Sequence, residues 1–275
     1  MSATMIDLDA YFGRIGYTGP RTPDLATLRA IHALHPAAIP FENLDPLLGR
    51  PVPLDVTVLQ RKMVGSRRGG YCFEQNTLLK AVLEALGFTV SCFAARVLWK
   101  TPPDRPPNPR AHMVLKVDLD DDAWLADVGF GGYLFAAPLL LVPDVEQPTP
   151  SGTFRLLRTD FTCTLQLKLA AAWQDVYRFA LEPQFPIDVE VANWFTSTHP
   201  NSRFRNNLLI ERLTPLARIS LFNTRLTRRH ADGKVEEIVL TTPDGLGYAL
   251  AAEFQLEAPA DLATLFARLP PPHLP

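Results

Sequence analysis

Long apolar runs are missing from this 275-residue sequence, and no segment approaches the roughly 20 consecutive apolar residues that a membrane-spanning helix needs. Its first nine residues also lack the basic and apolar regions of a secretory signal. We therefore expect a cytoplasmic protein that does not associate with membranes.

Cysteine is scarce as well, and there is no large excess of either charge. Cys72, Cys92 and Cys163 stand far apart without any C-x-x-C spacing, which argues against a disulfide framework and against a zinc or other metal site. The net charge of -2 gives no electrostatic reason to bind nucleic acid. Hydrophobic residues make up 47% of the chain, enough to bury a core in one large domain or in two to three small ones.

Residues 67–86 carry the strongest functional signal. After Gly70 the apolar residues recur every three or four positions, which predicts a helix that begins near Cys72 and ends at Gly87. Unpaired backbone N–H groups and the helix dipole at that start favour a negative charge, so the Cys72 sulfur is biased toward the nucleophilic thiolate. The alternative is a small apolar core residue. The two preceding glycines and the arginines at 67 and 68 favour the nucleophile.

Residues 111–130 form a predicted β-hairpin that brings a histidine to a carboxylate. Two strand-like patterns flank three aspartates at 120–122, where we place the turn. A register that sets His112 opposite Asp127, or a neighbouring odd register that makes them diagonal partners, puts both side chains on one face. If the aspartates are only a solvated loop and the register is even, the two side chains lie on opposite faces.

Other segments have weaker patterns. Thr22 is the predicted N-cap of a helix, and we expect His32 and His35 on that helix to be solvated at the surface. Cys92 and Cys163 lie in predicted strands as ordinary buried residues. The remaining predicted elements are a helix at 7–16, strands at 88–99, 161–169, 175–181, 218–226 and 234–240, a connecting helix at 188–197 and a final helix at 260–269.

A reactive cysteine needs a base, and the base needs a third group that fixes its tautomer. Cys72, His112 and Asp127, in that order, resemble the triad of papain-like enzymes, transglutaminases and arylamine N-acetyltransferases. Further motifs favour the last family. They are Ile-Pro-Phe-Glu-Asn-Leu at 39–44, Arg-Gly-Gly-Tyr-Cys-Phe-Glu-Gln-Asn at 68–76, Arg-Ala-His-Met-Val-Leu at 110–115, Ala-Asp-Val-Gly-Phe-Gly at 126–131 and, resembling a later linker region, Thr-Ser-Thr-His-Pro-Asn-Ser-Arg-Phe at 196–204.

The resemblance implies an α+β protein with a Cys-His-Asp triad, as in papain-like enzymes, at the junction of its first two domains. A helical N-terminal domain at 1–88 carries the nucleophile, and a β-barrel middle domain at 89–186 carries the histidine and the aspartate. A connecting helix and linker at 187–210 lead to an α/β C-terminal lid at 211–275. From residue 213 onward the resemblance is limited to length and strand content.

The implied reaction is a ping-pong transfer of acetyl from acetyl-CoA, through acetyl-Cys72, to the nitrogen of arylamines or arylhydrazines or the oxygen of N-hydroxyarylamines. The expected partners are therefore CoA and small aromatic amines or hydrazines, bound by a monomer or homodimer that uses no metal. A thiol hydrolase or transglutaminase-like acyltransferase would use the same triad. A non-catalytic binding module would not depend on Cys72.

The resemblance also assigns roles around the triad. Phe41, Tyr71, Phe130 and Phe204 are candidates for the apolar wall that holds an aromatic ring, and each is otherwise a core residue. The pair of Arg68 and Glu42 resembles a structural ion pair that supports the family's site. The alternative for this pair is an exposed ion pair of little energy.

A glycine-rich turn follows the second hairpin strand. Gly129, Gly131 and Gly132 allow backbone N–H groups to face an anion, so we predict that the phosphates of CoA bind there. The basic residues at 225, 228, 229 and 230 are further candidates for phosphate contacts. An ordinary turn and a solvated strand face are the alternatives.

Overall fold

The protein is described by a computed structural model over residues 6–102, 104–132 and 135–271. Its helices are α1 Leu8–Ile15, α2 Leu25–Ala38, α3 Leu44–Leu47, α4 Val56–Leu59, α5 Cys72–Ala85, α6 Pro186–Thr198, α7 Arg203–Asn206, α8 Pro243–Phe254 and α9 Leu262–Arg268, and a π-helical turn, Gln60–Gly65, follows α4. Its strands are β1 Phe41–Glu42, β2 Thr89–Val97, β3 His112–Leu119, β4 Asp122–Ala126, β5 Leu139–Leu140, β6 Gln147–Thr149, β7 Gly152–Arg158, β8 Thr162–Leu169, β9 Ala172–Pro183, β10 Leu209–Leu213, β11 Ala217–Phe222, β12 Arg225–His230 and β13 Val235–Val239. The α+β prediction is confirmed.

Helix α5 begins and ends where the sequence predicts. Tyr71 is its N-cap residue, and the Glu74 carboxylate accepts the Tyr71 backbone N–H at 3.1 Å. Gly87 follows the helix with a φ of +94°, a left-handed conformation that glycine adopts at little cost. Cys72 is the first helical residue, so it lies at the positive end of the helix dipole.

Helix α2 begins later than predicted and is more deeply buried. Its N-cap is Asp24 rather than Thr22, because the Asp24 carboxylate accepts the Thr27 backbone N–H at 2.8 Å. The expectation of surface histidines is wrong, since His32 and His35 both have 0% of their surface exposed. Their hydrogen-bond partners lie far away in sequence, so helical periodicity alone could not reveal their burial.

An eight-stranded antiparallel sheet, curved into a nearly closed barrel, occupies the middle of the chain, with the order β5-β4-β3-β2-β9-β8-β7-β6. Strands β3 and β4 form the predicted hairpin, in which Leu115 lies opposite Ala126. The turn falls within the aspartates, where Asp120 has a φ of +53°. This is the neighbouring odd register rather than the one that sets His112 directly opposite Asp127. The two residues are therefore diagonal partners on one face.

A five-stranded sheet joins distant parts of the chain in the order β1-β10-β11-β12-β13. Phe41 of β1 is paired with Glu211 of β10, so a short segment of the helical N-terminal region extends the C-terminal sheet. The prediction of one strand at 218–226 is wrong. Asn223, with a φ of +52°, turns the chain there and separates β11 from β12.

Three clusters of buried apolar side chains hold the helices and the two sheets together. The first packs α1, α2 and α5 against β3 and β4, the second fills the eight-stranded sheet, and the third lies between the five-stranded sheet and α8 and α9. Cys92 belongs to the first cluster and Cys163 to the second, which confirms that both are buried. Helix α8 was not predicted, because glycines at 245 and 247 lower its helical propensity. Within the described ranges, every helix is too short or too polar to span a membrane.

Candidate active site

Cys72, His112 and Asp127 meet where α5, β3 and the end of β4 come together. His112 is the first residue of β3, and Asp127 directly follows β4. The His112 Nε2 lies 2.7 Å from the Asp127 Oδ2, and the Cys72 side chain, whose Sγ donates to the Ala111 carbonyl at 3.7 Å, acts electrostatically on the same ring. All three residues are buried, with exposed fractions of 2%, 2% and 0% in chain order. The structure thus places a thiol, an imidazole and a carboxylate in one connected row.

The charges in this row stabilise one another. Burial by itself would lower the pKa of His112, but the Asp127 carboxylate and the Cys72 side chain raise it well above the usual histidine value. Burial by itself would raise the pKa of Asp127, but His112, Asn76 and the Gly129 amide lower it. The imidazolium and the carboxylate therefore coexist over a wide range of pH.

Asn76, one turn after Cys72 in α5, fixes the carboxylate. Its Nδ2 donates to the Asp127 Oδ1 at 2.9 Å and to the Met113 carbonyl at 2.7 Å, and its Oδ1 accepts the Val128 N–H at 3.0 Å. One side chain therefore ties the helix of the thiol to the hairpin of the imidazole and carboxylate. Asn76 was not among the predicted site residues. Its position four residues after Cys72, on the same helix face, is the signal that could have identified it.

The four predicted wall residues form two groups. Phe130 lies beside His112, with the two ring centroids 5.2 Å apart. Phe41, Tyr71 and Phe204 form the second group, in which the Phe204 ring lies 6.0 Å from Phe41 and 5.5 Å from Tyr71. Phe41 and Phe130 line the same small cavity, so one residue of each group faces it.

A further aromatic ring, which the sequence analysis missed, contacts His112 from the barrel. Tyr177 of β9 is fully buried, and its ring centroid lies 5.1 Å from that of His112 and 5.4 Å from that of Phe130. No local motif marks this residue, because it belongs to an ordinary strand far from the other site residues in sequence.

The chain is similar to known acetyltransferases along most of its length. The N-acetyltransferase family model matches residues 24–263. The arylamine N-acetyltransferase of Mycolicibacterium smegmatis is 44% identical over 236 residues, which cover 85% of this chain and 86% of that protein. This chain belongs to the arylamine N-acetyltransferase family.

Two other members of the family extend the comparison. The arylamine N-acetyltransferase / N-hydroxyarylamine O-acetyltransferase of Salmonella typhimurium is 40% identical over 250 residues, which cover 90% of this chain and 88% of that protein. The solved structure of Mycobacterium marinum arylamine N-acetyltransferase in complex with CoA aligns with a TM-score of 0.90 and 38% identity, covering 95% of this chain and 98% of that one. The mixed α+β architecture with its barrel-like sheet is therefore the fold of arylamine N-acetyltransferases.

The ion pair that the arylamine N-acetyltransferase resemblance assigns to Arg68 and Glu42 belongs to a larger ionic cluster. The Arg68 Nη2 lies 2.7 Å from the Glu42 Oε1, and Glu42 has 0% exposure, so this pair is not a surface one. Asp45, Lys62 and Glu74 extend the cluster, with the Lys62 Nζ 2.6 Å from Asp45 and 2.7 Å from Glu74. Three acids and two bases thus surround the loop before α5, where burial raises the pKa of Glu74 to about 7.

The glycines of the 129–132 turn allow close packing against the site. A Cβ atom on Gly129 would lie 2.7 Å from the Cys72 Cα, closer than real Cβ contacts. A Cβ atom on Gly131 would lie 2.9 Å from the ring of Phe41. In this arylamine N-acetyltransferase motif, Gly129 and Gly131 are therefore needed because a larger residue at either position would clash with its neighbour.

Part of the same turn is already hydrogen-bonded. The Gly129 N–H donates to the Asp127 Oδ1 at 2.9 Å, and the Gly132 carbonyl accepts from the Arg218 Nη1 at 3.1 Å. The Gly129 amide is thus already bonded to the Asp127 carboxylate, and a phosphate would have to use other amides of the turn. Phosphate binding at this turn stays a prediction.

The basic residues of β12 are paired with carboxylates of the C-terminal part. The Arg228 Nη2 lies 2.6 Å from Glu253, and its Nη1 lies 3.3 Å from Glu236. The Arg225 Nη1 lies 3.6 Å from Glu237. A phosphate would compete with these carboxylates, so a role of this strand in CoA binding also stays a prediction.

Proposed function

We propose that this protein transfers acetyl from acetyl-CoA to the nitrogen of arylamines and arylhydrazines, and to the oxygen of N-hydroxyarylamines, by a ping-pong mechanism. Cys72 carries the acetyl group, His112 moves the protons, and Asp127 orients the imidazole and stabilises its charge. The observation that carries the proposal is the buried 2.7 Å contact of His112 with the Asp127 carboxylate, together with the electrostatic effect of the Cys72 side chain on the same ring. Membership of the family supports the acyl donor and both acceptor classes.

In the first half-reaction, the Cys72 thiolate attacks the thioester carbon of acetyl-CoA. The new bond to Cys72 forms, the bond to the CoA sulfur breaks, and the imidazolium of His112 gives its proton to the departing CoA thiolate. Because one thioester replaces another, the step has little thermodynamic cost. His112 is left neutral, as the next step requires.

In the second half-reaction, the acceptor nitrogen attacks the acetyl carbon. His112 takes a proton from that nitrogen, and Cys72 leaves as the thiolate, which restores the initial charge pair. Since Asp127 occupies the Nε2 of His112, the Nδ1 atom performs both proton transfers. Asp127 stays ionised throughout, in keeping with its lowered pKa.

We also propose that Phe41, Tyr71, Phe130 and Phe204 hold the aromatic ring of the acceptor. The contact of Phe130 with His112 supports a ring seated beside the acetyl group. An alanine at Phe130 should therefore raise the KM for the arylamine more than the KM for acetyl-CoA. The opposite pattern would remove Phe130 from the acceptor site.

For CoA, we propose that its phosphates bind near Gly129, Gly131 and Gly132, with help from the basic strand β12. Titrating CoA against Gly131→Val and against an Arg228→Ala/Arg229→Ala double variant tests this placement. A weakened Kd in the double variant supports it, whereas a weakened Kd in Gly131→Val alone also follows from the clash of the new side chain with Phe41. An unchanged Kd in both variants contradicts it.

We propose that each predicted unit of the chain has its own role in the reaction. The unit at 1–88 supplies the thiol, the barrel at 89–186 supplies the imidazole and carboxylate, and the connector at 187–210 leads to a lid at 211–275. The pairing of β1 with β10 supports a lid that is anchored beside Phe41, close to the proposed acceptor cavity.

The release of CoA, measured with and without an arylamine such as p-anisidine, tests the reaction itself. We expect a burst of one CoA per enzyme without acceptor, followed by sustained release only when the amine is added. Sustained release of acetate at the same rate without amine would favour the thiol hydrolase. Binding of acetyl-CoA without any burst, unaffected by Cys72→Ser, would favour a non-catalytic binding module.

A further inference from the structure

His32 lies directly behind the triad carboxylate. It projects from α2, is fully buried, and its Nε2 accepts the backbone N–H of Asp127 at 3.1 Å. Its ring stacks on Phe135, with centroids 5.4 Å apart and planes inclined by 18°. The hydrogen bond ties α2 to the main chain of Asp127.

The hydrogen bond defines the protonation state of His32. Since Nε2 accepts, the ring proton lies on Nδ1, and within the described part of the chain that atom is buried without a hydrogen-bond partner. Burial lowers the pKa of His32 to about 4, opposed by the charge of Asp127 and assisted by His35, which are the titratable groups that act on it. The ring is therefore neutral at physiological pH.

We propose that His32 is a positioning residue for the triad, an uncharged acceptor that holds the Asp127 backbone so that its carboxylate faces His112. This inference rests on the proposed function, because it gives His32 a role only through the triad. Asp127 is thereby held at three points, since Asn76 and the Gly129 amide bind its carboxylate.

The absence of charge on His32 matters for the chemistry. A cation at this position would lie beside Asp127 and compete with His112 for the carboxylate, which would make the His112 imidazolium less stable. A side chain without an acceptor would leave a buried N–H unpaired and allow the Asp127 backbone to shift. A neutral imidazole avoids both effects.

Three variants at two positions separate this role from simple packing. His32→Leu removes the acceptor, and His32→Gln restores one at a similar distance from the main chain. His35→Leu is the matched control, because His35 lies on the same helix and is equally buried but bonds with Tyr11 and Gln75. His32→Met, with an unbranched side chain, replaces His32→Leu if the latter does not fold.

The readout is the rate at which iodoacetamide alkylates Cys72 as a function of pH, because it reports the thiolate without needing either substrate. We expect His32→Leu to lower the rate near pH 7 roughly 10-fold and to make it rise with pH like that of an ordinary thiol. The kcat of the full reaction should fall by a similar factor with little change in the KM for acetyl-CoA. His32→Gln should stay within about 3-fold of the parent in both measurements.

The controls identify which idea fails. Equal changes in His32→Leu and His35→Leu, or no rescue by His32→Gln, would overturn the positioning role of His32. Asp127→Asn serves as the reference: if it alters the alkylation profile and His32→Leu does not, only the present inference is lost. If Asp127→Asn itself leaves the profile unchanged, the proposed triad is lost instead.

Discussion

Two polar clusters flank the first turns of α5, and they are built differently. On one side, the Asp127 carboxylate interacts with His112 and otherwise accepts hydrogen bonds from the uncharged amides of Asn76 and Gly129. On the other side, the ionic cluster combines three carboxylates with the cations of Lys62 and Arg68. Both clusters are largely buried, so the difference between them is one of charge balance rather than of exposure.

This difference indicates what each cluster does. Uncharged donors fix the Asp127 carboxylate without neutralising it, so its charge remains available to His112. In the ionic cluster the cations neutralise the carboxylates, and removing one partner leaves an uncompensated buried charge. We therefore expect the first cluster to control reactivity and the second to control the stability of the loop before Cys72.

The largest expected effect on activity is that of Cys72→Ser. We predict at least a ~10³-fold loss of acetyl transfer with an unchanged fold, because a serine hydroxyl is not ionised near neutral pH. Single-turnover CoA release and circular dichroism check both parts. Cys92→Ser, at another buried thiol, should keep near-native turnover, and a comparable loss there would indicate that Cys72 is not the nucleophile.

Asp127→Asn should rank next, with a loss of about 10²- to 10⁴-fold in kcat/KM, since an amide cannot stabilise the imidazolium and favours the wrong tautomer. Asp121→Asn, at the exposed hairpin turn, is the matched control and should change little. Steady-state kinetics with one arylamine provide the measurement. Equal losses at Asp121 and Asp127 would mean that the carboxylate of the triad has been assigned to the wrong residue.

Alkylation compares the three thiols directly. A limiting amount of iodoacetamide at pH 7 should modify Cys72 at least ~100-fold faster than the other cysteines, because burial raises the pKa of Cys92 to about 12 and also raises that of Cys163. Acetyl-CoA should protect Cys72, because the acetylated sulfur has no free thiolate. Peptide mass mapping after a short pulse identifies the labelled cysteine. First labelling at Cys92 or Cys163 would contradict the proposed pair of the Cys72 thiolate and the His112 imidazolium.

The pH dependence of this labelling follows from two pKa shifts of opposite sign. The raised pKa of His112 keeps the imidazolium charged as the pH rises, and the lowered pKa of Asp127 keeps the carboxylate charged as the pH falls. The labelling rate at Cys72 should therefore be nearly constant between about pH 6 and pH 8. A rate that rises tenfold per pH unit over this range would indicate an ordinary thiol.

The smallest expected effect on activity belongs to the ionic cluster. We predict that Glu42→Gln lowers the free energy of unfolding by about 2 kcal/mol, less than for a fully buried pair because Arg68 retains Asp45, while kcat changes little. Lys80→Ala, which removes the more exposed pair with Glu84, should cost less than about 0.5 kcal/mol. Urea unfolding measures both. A large loss of kcat with unchanged stability in Glu42→Gln would show that the ionic cluster controls reactivity rather than the stability of the loop.

Local patterns predicted the elements that carry the proposed triad. The start of α5 follows from two glycines, a helical periodicity and a terminating Gly87, all within one short stretch. The hairpin follows from two alternating segments around a turn, and its odd register brings His112 toward Asp127. The turn lies inside the aspartates, where Asp120 has a positive φ.

By itself, then, the sequence determined the helix of Cys72, the hairpin of His112 and Asp127, and membership of the family, because caps, turns and motifs act over a few neighbouring residues. Only the tertiary structure decided that His32 and His35 are buried, since their partners at Asp127 and Gln75 lie 95 and 40 positions away. The same holds for the pairing of β1 with β10 and for the addition of Asp45, Lys62 and Glu74 to the Arg68–Glu42 pair. The physical reason is that a polar side chain enters the core only where another segment supplies its hydrogen bond or counter-charge, and the position of that segment depends on the whole fold.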